Sequence, residues 1–148
     1  MGVTAHPTVA AALEAARAAG EIAMKYYRGG FEITIKADKT PVTQADREAE
    51  KAIRAILAHA TPGCGFLGEE FGQEGSTSRR WIIDPIDGTK NFVRHIPIWA
   101  VLIALEEDGQ VTTGVARPRM ARIAVSASRS AWVTGVWSGL IVTSKPPR

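Results

Sequence analysis

Apolar residues recur every three or four positions in some stretches of this chain and every second position in others. That change of period divides it into helices and strands. From Thr8 to Tyr27, the residues Val9, Leu13, Ala16, Met24 and Tyr27 fall near one face, and Gly29-Gly30 follows, so the pattern predicts a helix that stops there. Phe31 to Lys36 alternates, with Phe31, Ile33 and Ile35 set against Glu32, Thr34 and Lys36, as in a half-exposed strand. Ala37 to Pro41 reads as a polar loop. Thr43 to Ala60 predicts a second helix with a buried stripe of Ala49, Ile53, Ile56 and Leu57, stopped by Thr61-Pro62-Gly63. Thr43 and Asp46 have the spacing of a capping box, in which the hydroxyl takes a free backbone N–H and the acid sits in the first turn.

The second half is richer in strands. Gly65 to Gly68 is a short strand leading into Glu69-Glu70, and Gly72 to Arg79 reads as a mobile polar loop without apolar anchors. Trp81 to Ile83 is a buried strand ended by Asp84-Pro85. Trp99 to Leu105 is another, followed by the hairpin signal Asp108-Gly109 and a return over Gln110 to Val115. The tail from Ile123 to Val142 is strand-rich and harder to divide. Two helices on one face of a mostly antiparallel sheet are expected.

Composition changes this picture little. At 148 residues, 45% hydrophobic and 22% charged, the chain suits one soluble domain with a core. Cys64 is the single cysteine, which excludes an internal disulfide and reads as a small buried residue. The longest apolar run, Ile96 to Leu105, is too short to span a bilayer, and no signal peptide is apparent, so a cytoplasmic protein without membrane contact is expected. Six of the 18 Lys and Arg residues and none of the 15 acids lie in 117–148, so the net charge of +3 belongs to the tail. That tail carries no recognisable nucleic-acid module, and no nucleic-acid partner is expected.

The sharpest chemistry lies between Trp81 and Phe92. A buried strand delivers Asp84, Pro85 forces a turn, and Asp87 follows three residues later. Two carboxylates so close repel each other unless a proton or cation separates them. Mg²⁺ prefers carboxylate and carbonyl oxygens, and the Ile86 carbonyl lies between the two acids. Gly88-Thr89 permits close backbone approach, and free N–H groups entering a helix can seat a phosphate. The competing reading is a plain loop with one Asp as turn former and the other as cap. Glu69-Glu70 is either a pair of surface charges or the source of a third carboxylate. Asp46 is either a helix-terminal charge or a carboxylate that holds Thr89 or a water.

In order, spacing and residue type, Pro41 to Asp46, Phe66 to Glu70 and Trp81 to Phe92 resemble three successive motifs of the inositol monophosphatase superfamily. The resemblance implies an α+β, layered helix/sheet sandwich. It also implies Mg²⁺-dependent hydrolysis of a small phosphorylated metabolite. By that resemblance Glu69, Asp84, Asp87 and the Ile86 carbonyl bind Mg²⁺, while Asp46 and Thr89 orient and activate the attacking water. Glu69, Ile86, Asp87 and the Gly88 and Thr89 N–H groups face the substrate phosphate. Lys36 to Glu50 and Thr89 to Trp99 are worded most like histidinol-phosphatases, which implies L-histidinol phosphate as substrate and a place in histidine biosynthesis. Inositol-1-phosphate is the runner-up. Lys90 and Arg94 either approach the phosphate or are solvated charges. His95 and Trp99 read as packing and capping residues.

The resemblance covers residues 8–144, with Arg117 to Ser126 a poorer match. Ser128 to Gly135 and Leu140 to Lys145 resemble continuing strands of the family. Members are longer, and their later Trp-Asp motif has no counterpart here. Residues 1–148 are therefore expected to be the N-terminal metal- and phosphate-binding portion, with the C-terminal domain absent as a fragment or an early-terminated product. Two consequences follow: weaker binding of a second Mg²⁺, and an apolar sheet face left exposed, refilled or covered in a homo-oligomer. A remnant that binds metal without turnover is the alternative to an enzyme.

Overall fold

The computed structural model describes residues 6–39 and 41–119, and the backbone of 132–136 and 139–143. Helix α1 (Pro7–Gly29) starts where Pro7 presets the first turn and the His6 ring accepts the Thr8 N–H. It is long, but no helix among the described residues is long and apolar enough to cross a membrane. Its buried stripe is narrower in side chain than the sequence suggests. Ala12, Ala15, Ala16, Ala19 and Ala23 are fully buried, while Leu13, Met24 and Tyr27 flank them half-buried. Small residues let the backbone of α1 approach its neighbours, and the larger apolar side chains pack at the margins.

Strands β1 (Ile33–Ile35) and β2 (Pro41–Thr43) form a separate antiparallel pair, with Thr34 opposite Val42. The β2 strand falls where the sequence reads as loop and helix cap. In β1 the expected apolar face is not covered by the described residues: Ile33 and Ile35 are 50% and 62% exposed. Helix α2 (Gln44–Ala60) follows, with the Thr43/Asp46 capping box formed in both directions. It buries Ala45, Ala49, Ile53 and Leu57, and Ile56 stays half-buried.

Among the described residues the main sheet has seven strands in the order β4-β3-β5-β6-β7-β9-β8. They are β3 (Gly65–Gly68), β4 (Gly72–Glu74), β5 (Arg79–Asp87), β6 (Ala100–Glu107), β7 (Gln110–Pro118), β8 (Trp132–Val136) and β9 (Gly139–Thr143). Among the described strands only β3 and β5 are parallel neighbours, so the sheet is mostly antiparallel. Strands β8 and β9 fall in the strand-rich tail; the rest of Ile123 to Val142 lies outside the described residues. Helices α1 and α2 pack on each other, with α1 against β6 and β7 and α2 against β5, as expected. The core between them holds Trp81, Ile83, Val101, Ile103 and Leu105. Trp81 donates its indole N–H to the Thr61 hydroxyl at 2.9 Å, and that hydroxyl donates to the Leu57 carbonyl at 2.6 Å.

Two expectations need correction. Gly72 to Arg79 is not an unanchored loop, because Gly72–Glu74 is an edge strand and β5 already begins at Arg79. Its anchors are polar: Arg54 reaches the Gly72 carbonyl at 2.7 Å and the Glu74 carboxylate at 3.0 Å. Nor does β5 end at Asp84-Pro85. Asp84 pairs with Leu102 and Asp87 with Ala100, so one extra residue is accommodated between them as a bulge. Pro85, which has no N–H for the ladder, is tolerated in that bulge.

Candidate active site

The bulge in β5 is the first device that builds the site. Alternation from the buried Trp81 and Ile83 puts Ile82 and Asp84 on the opposite, half-buried face. The extra residue then breaks the alternation and brings Asp87 to the same cavity as Asp84. Gly88 is the second device. Its φ of +89° caps the short helix α3 (Thr89–Val93), and a Cβ there would lie 3.2 Å from the Ile98 carbonyl. The chain can therefore turn sharply into Thr89 against the segment before β6. An aromatic cluster of Tyr27, Phe31, Phe92, His95 and Trp99 supports α3 from below, with ring centroids 5.0–5.8 Å apart. His95 and Trp99 are thus packing residues, and the His95 carbonyl accepts the Tyr27 hydroxyl at 2.6 Å.

A cavity of about 380 Å³ is lined by Pro41, Glu69, Asp84, Ile86, Asp87, Gly88, Thr89, Lys90 and Asn91. Of the site residues expected from sequence, all but Asp46 line it. Asp46 lies behind Thr89 and is almost fully buried. One of its oxygens takes the Thr43 N–H at 2.7 Å and the Thr43 hydroxyl at 2.6 Å. The other lies 3.1 Å from the Thr89 hydroxyl, which also lies 2.9 Å from the Ile86 carbonyl. The two readings of Asp46, helix cap and holder of Thr89, are therefore both true. Lys90 lines the cavity. Arg94 is exposed and does not.

The acids share a wall of this cavity without closing on a point. Among the described residues no three Asp, Glu, His or Cys side chains are gathered tightly enough to enclose an ion as they stand. The electrostatics nevertheless call for a proton or a cation among them. Asp84 is pushed up to about 8, first by burial and then by the charge and hydrogen bonding of Glu69 and the charges of Asp87 and Asp46. Its Oδ1 is buried and has no hydrogen-bond partner. Burial also raises Asp46, against hydrogen bonds from Thr43 and Thr89 that pull it down. An all-oxygen donor set with excess negative charge and an orphaned carboxylate oxygen fits a hard divalent cation. Glu69, Asp84 and Asp87 are the carboxylates that would hold such an ion.

Sequence reasoning passed over three residues around Glu69. Lys36 pairs with Glu70 at 2.7 Å and lies 3.6 Å from Glu69. Burial lowers the Lys36 amine, but the Glu70 hydrogen bond and the charges of Glu70, Glu69 and Asp46 outweigh it and leave it raised. Glu50 is fully buried on α2, one turn past Asp46, and is bonded to Arg54 and to the turn after Glu69. The signal was present: positions 45, 46, 49, 50, 53 and 57 form one helical face, and that face contains two acids.

With this geometry in hand, comparison with known proteins places the chain. Over 84 residues it is 58% identical to a histidinol-phosphatase of Mycobacterium tuberculosis, covering 56% of this chain and 32% of that protein. Over 87 residues it is 52% identical to an inositol-1-monophosphatase of Mesorhizobium japonicum, covering 57% and 33% respectively. The crystal structure of the extragenic suppressor protein SuhB from Bartonella henselae superposes with a TM-score of 0.71 at 38% identity, over 74% of this chain and 44% of that one. The chain thus spans less than half the length of these relatives. Residues 4–145 match the model of the inositol monophosphatase family, and the chain belongs to that family.

Proposed function

We propose that the protein hydrolyses a small phosphate monoester with Mg²⁺, and that its preferred substrate is L-histidinol phosphate. The observation that carries the reading is the Asp46–Thr89–Ile86 hydrogen-bonded set at the edge of a cavity walled by Glu69, Asp84 and Asp87. Glu69, Asp84, Asp87 and the Ile86 carbonyl, which keeps a second lone pair beside the Thr89 hydroxyl, would hold the cation. A bound divalent cation supplies Lewis-acid polarisation and charge neutralisation to a phosphoryl group.

The remaining work falls to this chain. The Thr89 hydroxyl has one proton and two acceptors within reach. When it donates to Asp46, its oxygen would be able to accept a hydrogen bond from a water in the cavity. That water's proton then has a path through Thr89 to the Asp46 carboxylate. Burial raises Asp46 and so makes it a stronger base than a solvated aspartate. Thr43 holds the carboxylate in one orientation. The Gly88 and Thr89 N–H groups, at the start of α3, would seat a phosphate entering over Gly88. Lys90 adds a positive charge to the same wall.

The substrate is argued from relatives named histidinol-phosphatase, including one of Chlorobaculum parvum that is 45% identical over 111 residues. The Mesorhizobium relative, named for inositol-1-phosphate, supports that substrate as the second reading. Phosphate release from the two substrates, with Mg²⁺ and with chelator, ranks them. Higher kcat/KM on L-histidinol phosphate, lost with chelator or with Asp84→Asn, is the expected result. Mg²⁺ binding without release from either would select a metal-binding module without turnover, and would end the enzymatic reading for this chain.

A further inference from the structure

Glu50 has no exposed surface, yet nothing in the proposed chemistry uses it. Its carboxylate accepts the Glu70 N–H at 2.7 Å, the Phe71 N–H at 3.3 Å and the Arg54 Nε–H at 2.9 Å, with the Arg54 Nη2 at 2.9 Å as well. Arg54 in turn ties down the Gly72 carbonyl and Glu74. Room for the carboxylate comes from Gly68, where a Cβ would lie 1.8 Å from Glu50 Oε1. An apolar residue in this space would leave Arg54 without its carboxylate, at a cost to stability. It would leave the N–H groups of Glu70 and Phe71 without an acceptor.

Those contacts hold the chain around Glu69. On one side the Glu69 N–H donates to the Ile83 carbonyl at 3.2 Å, in the peptide that joins Ile83 to Asp84. On the other side the peptide joining Glu69 to Glu70 is fixed by Glu50. The result is a turn that splits two neighbouring acids. Glu69 lines the cavity, and Glu70 turns to Lys36. We propose that Glu50 is a positioning residue: by fixing the 69–70 peptide it presents the Glu69 carboxylate to Asp84 and so sets the affinity for a divalent cation. The proposal rests on the cation reading of the site given above.

The test is titration of the full chain with Mn²⁺, followed by loss of the free-ion electron paramagnetic resonance signal, beside thermal unfolding of each variant. Glu50→Gln keeps the volume but places a donor among donors, and is expected to weaken Mn²⁺ about 10-fold, the usual scale for loss of an outer-shell partner. Gly68→Ala changes no charge but forces the carboxylate aside, and is expected to weaken Mn²⁺ likewise. Ile53→Val, beside Glu50 in the core, is expected to lower the unfolding temperature and leave the affinity unchanged. Folded Glu50→Gln and Gly68→Ala with native affinity would overturn the proposal, as would an equal loss in Ile53→Val. Should Glu50→Gln not fold, Gly68→Ala carries the test alone, and native affinity in that folded variant overturns the proposal. A wild-type chain that binds no Mn²⁺, or binding indifferent to Asp84→Asn, sinks the cation reading and this proposal together. Binding that needs Asp84 and ignores Glu50 sinks only the positioning role.

Discussion

Replacing Asp84 by Asn is expected to stabilise the metal-free protein while destroying its response to a divalent cation. Asp84 sits partly buried beside Glu69, with Asp87 and Asp46 near, and its folded pKa is raised from 3.8 to about 8. The folded chain therefore keeps a proton that the unfolded chain releases. Stability from this group is complete below the unfolded value and is lost as pH rises through the folded one. Integrated to about pH 7, the loss is about 4 kcal/mol for a dry site, and solvent screening of a half-buried group reduces it to roughly 2 kcal/mol. Asn carries no such penalty. For a chain of this size that predicts an unfolding temperature about 4–8 °C above wild type near neutral pH.

The assay is calorimetric unfolding of both proteins in chelator at about pH 4 and about pH 8, repeated with Mg²⁺ in excess. The gap between variant and wild type should widen with pH in chelator. Mg²⁺ should raise the wild type, because a ligand of the folded state stabilises it by mass action, and leave Asp84→Asn unmoved. An Asn variant less stable than wild type at every pH would mean that Asp84 already has a favourable partner. Equal Mg²⁺ shifts in both proteins would place the ion elsewhere. Either result refutes the picture of a repulsive carboxylate wall that a cation relieves.

Other perturbations separate the parts of the site. Thr89→Val removes the hydroxyl that links Asp46 to the cavity; it should lower kcat by about 100-fold or more while Mn²⁺ affinity holds, and equal losses of both would show Thr89 acting only through the metal. Lys36→Met strips Glu70 of its partner, where the two side chains are 24% and 5% exposed, and should cost about 1–3 kcal/mol in denaturant unfolding. Because pairing raises Lys36, its stabilisation is whole below the unfolded value and fades as pH rises through the folded one, so the variant and wild type should converge in strong alkali. Between Asp84 and the Arg80–Glu106 pair, one sheet face carries a half-buried apolar strip of Ile82, Leu102 and Ala104. Concentration-dependent association in gel filtration, or binding of an apolar dye, is expected, and a monomer that binds no dye would rule it out.

Much of the fold was legible because it rests on local period and punctuation. The α2 cap, the Asp108-Gly109 hairpin and the buried β5–β6 pair follow from residues near in sequence. What was missed depends on distant partners. Strand β4 has no apolar anchor to betray it, and it is held through Arg54 on α2, 18–20 residues earlier. Strand β2 is three residues whose pairing with β1 is not coded in either alone. The α1 stripe was misjudged because large apolar residues signal burial more loudly than alanines, although close helix contact requires the alanines.

The site shows the same division at finer scale. Asp84 and Asp87 stood out because Pro85, Gly88 and the strand before them leave few other uses for that string, while Glu69 was singled out by the family resemblance. Glu50 and Arg54, which hold the turn after Glu69, looked like ordinary helix residues, whereas Asp46 carried both a capping and a site reading from the start. Asp46 is the instructive one, since its cap and its bond to Thr89 use different oxygens of one carboxylate. The hydrogen bonds that cap the start of α2 are therefore the ones that aim Asp46, and a change made to weaken that cap would also misdirect the base. Structural and chemical roles compete as explanations only when one atom must serve both, and here two oxygens divide them. Glu50 repeats the arrangement one turn later, with one oxygen on the Glu70 N–H and the other on Arg54 and Phe71. Helix α2 thus grips both edges of the cavity through two carboxylates on its buried face. Burying two acids on a helix that could have been apolar there costs solvation, and the return is the placement of Thr89 and Glu69 relative to a single strand bulge.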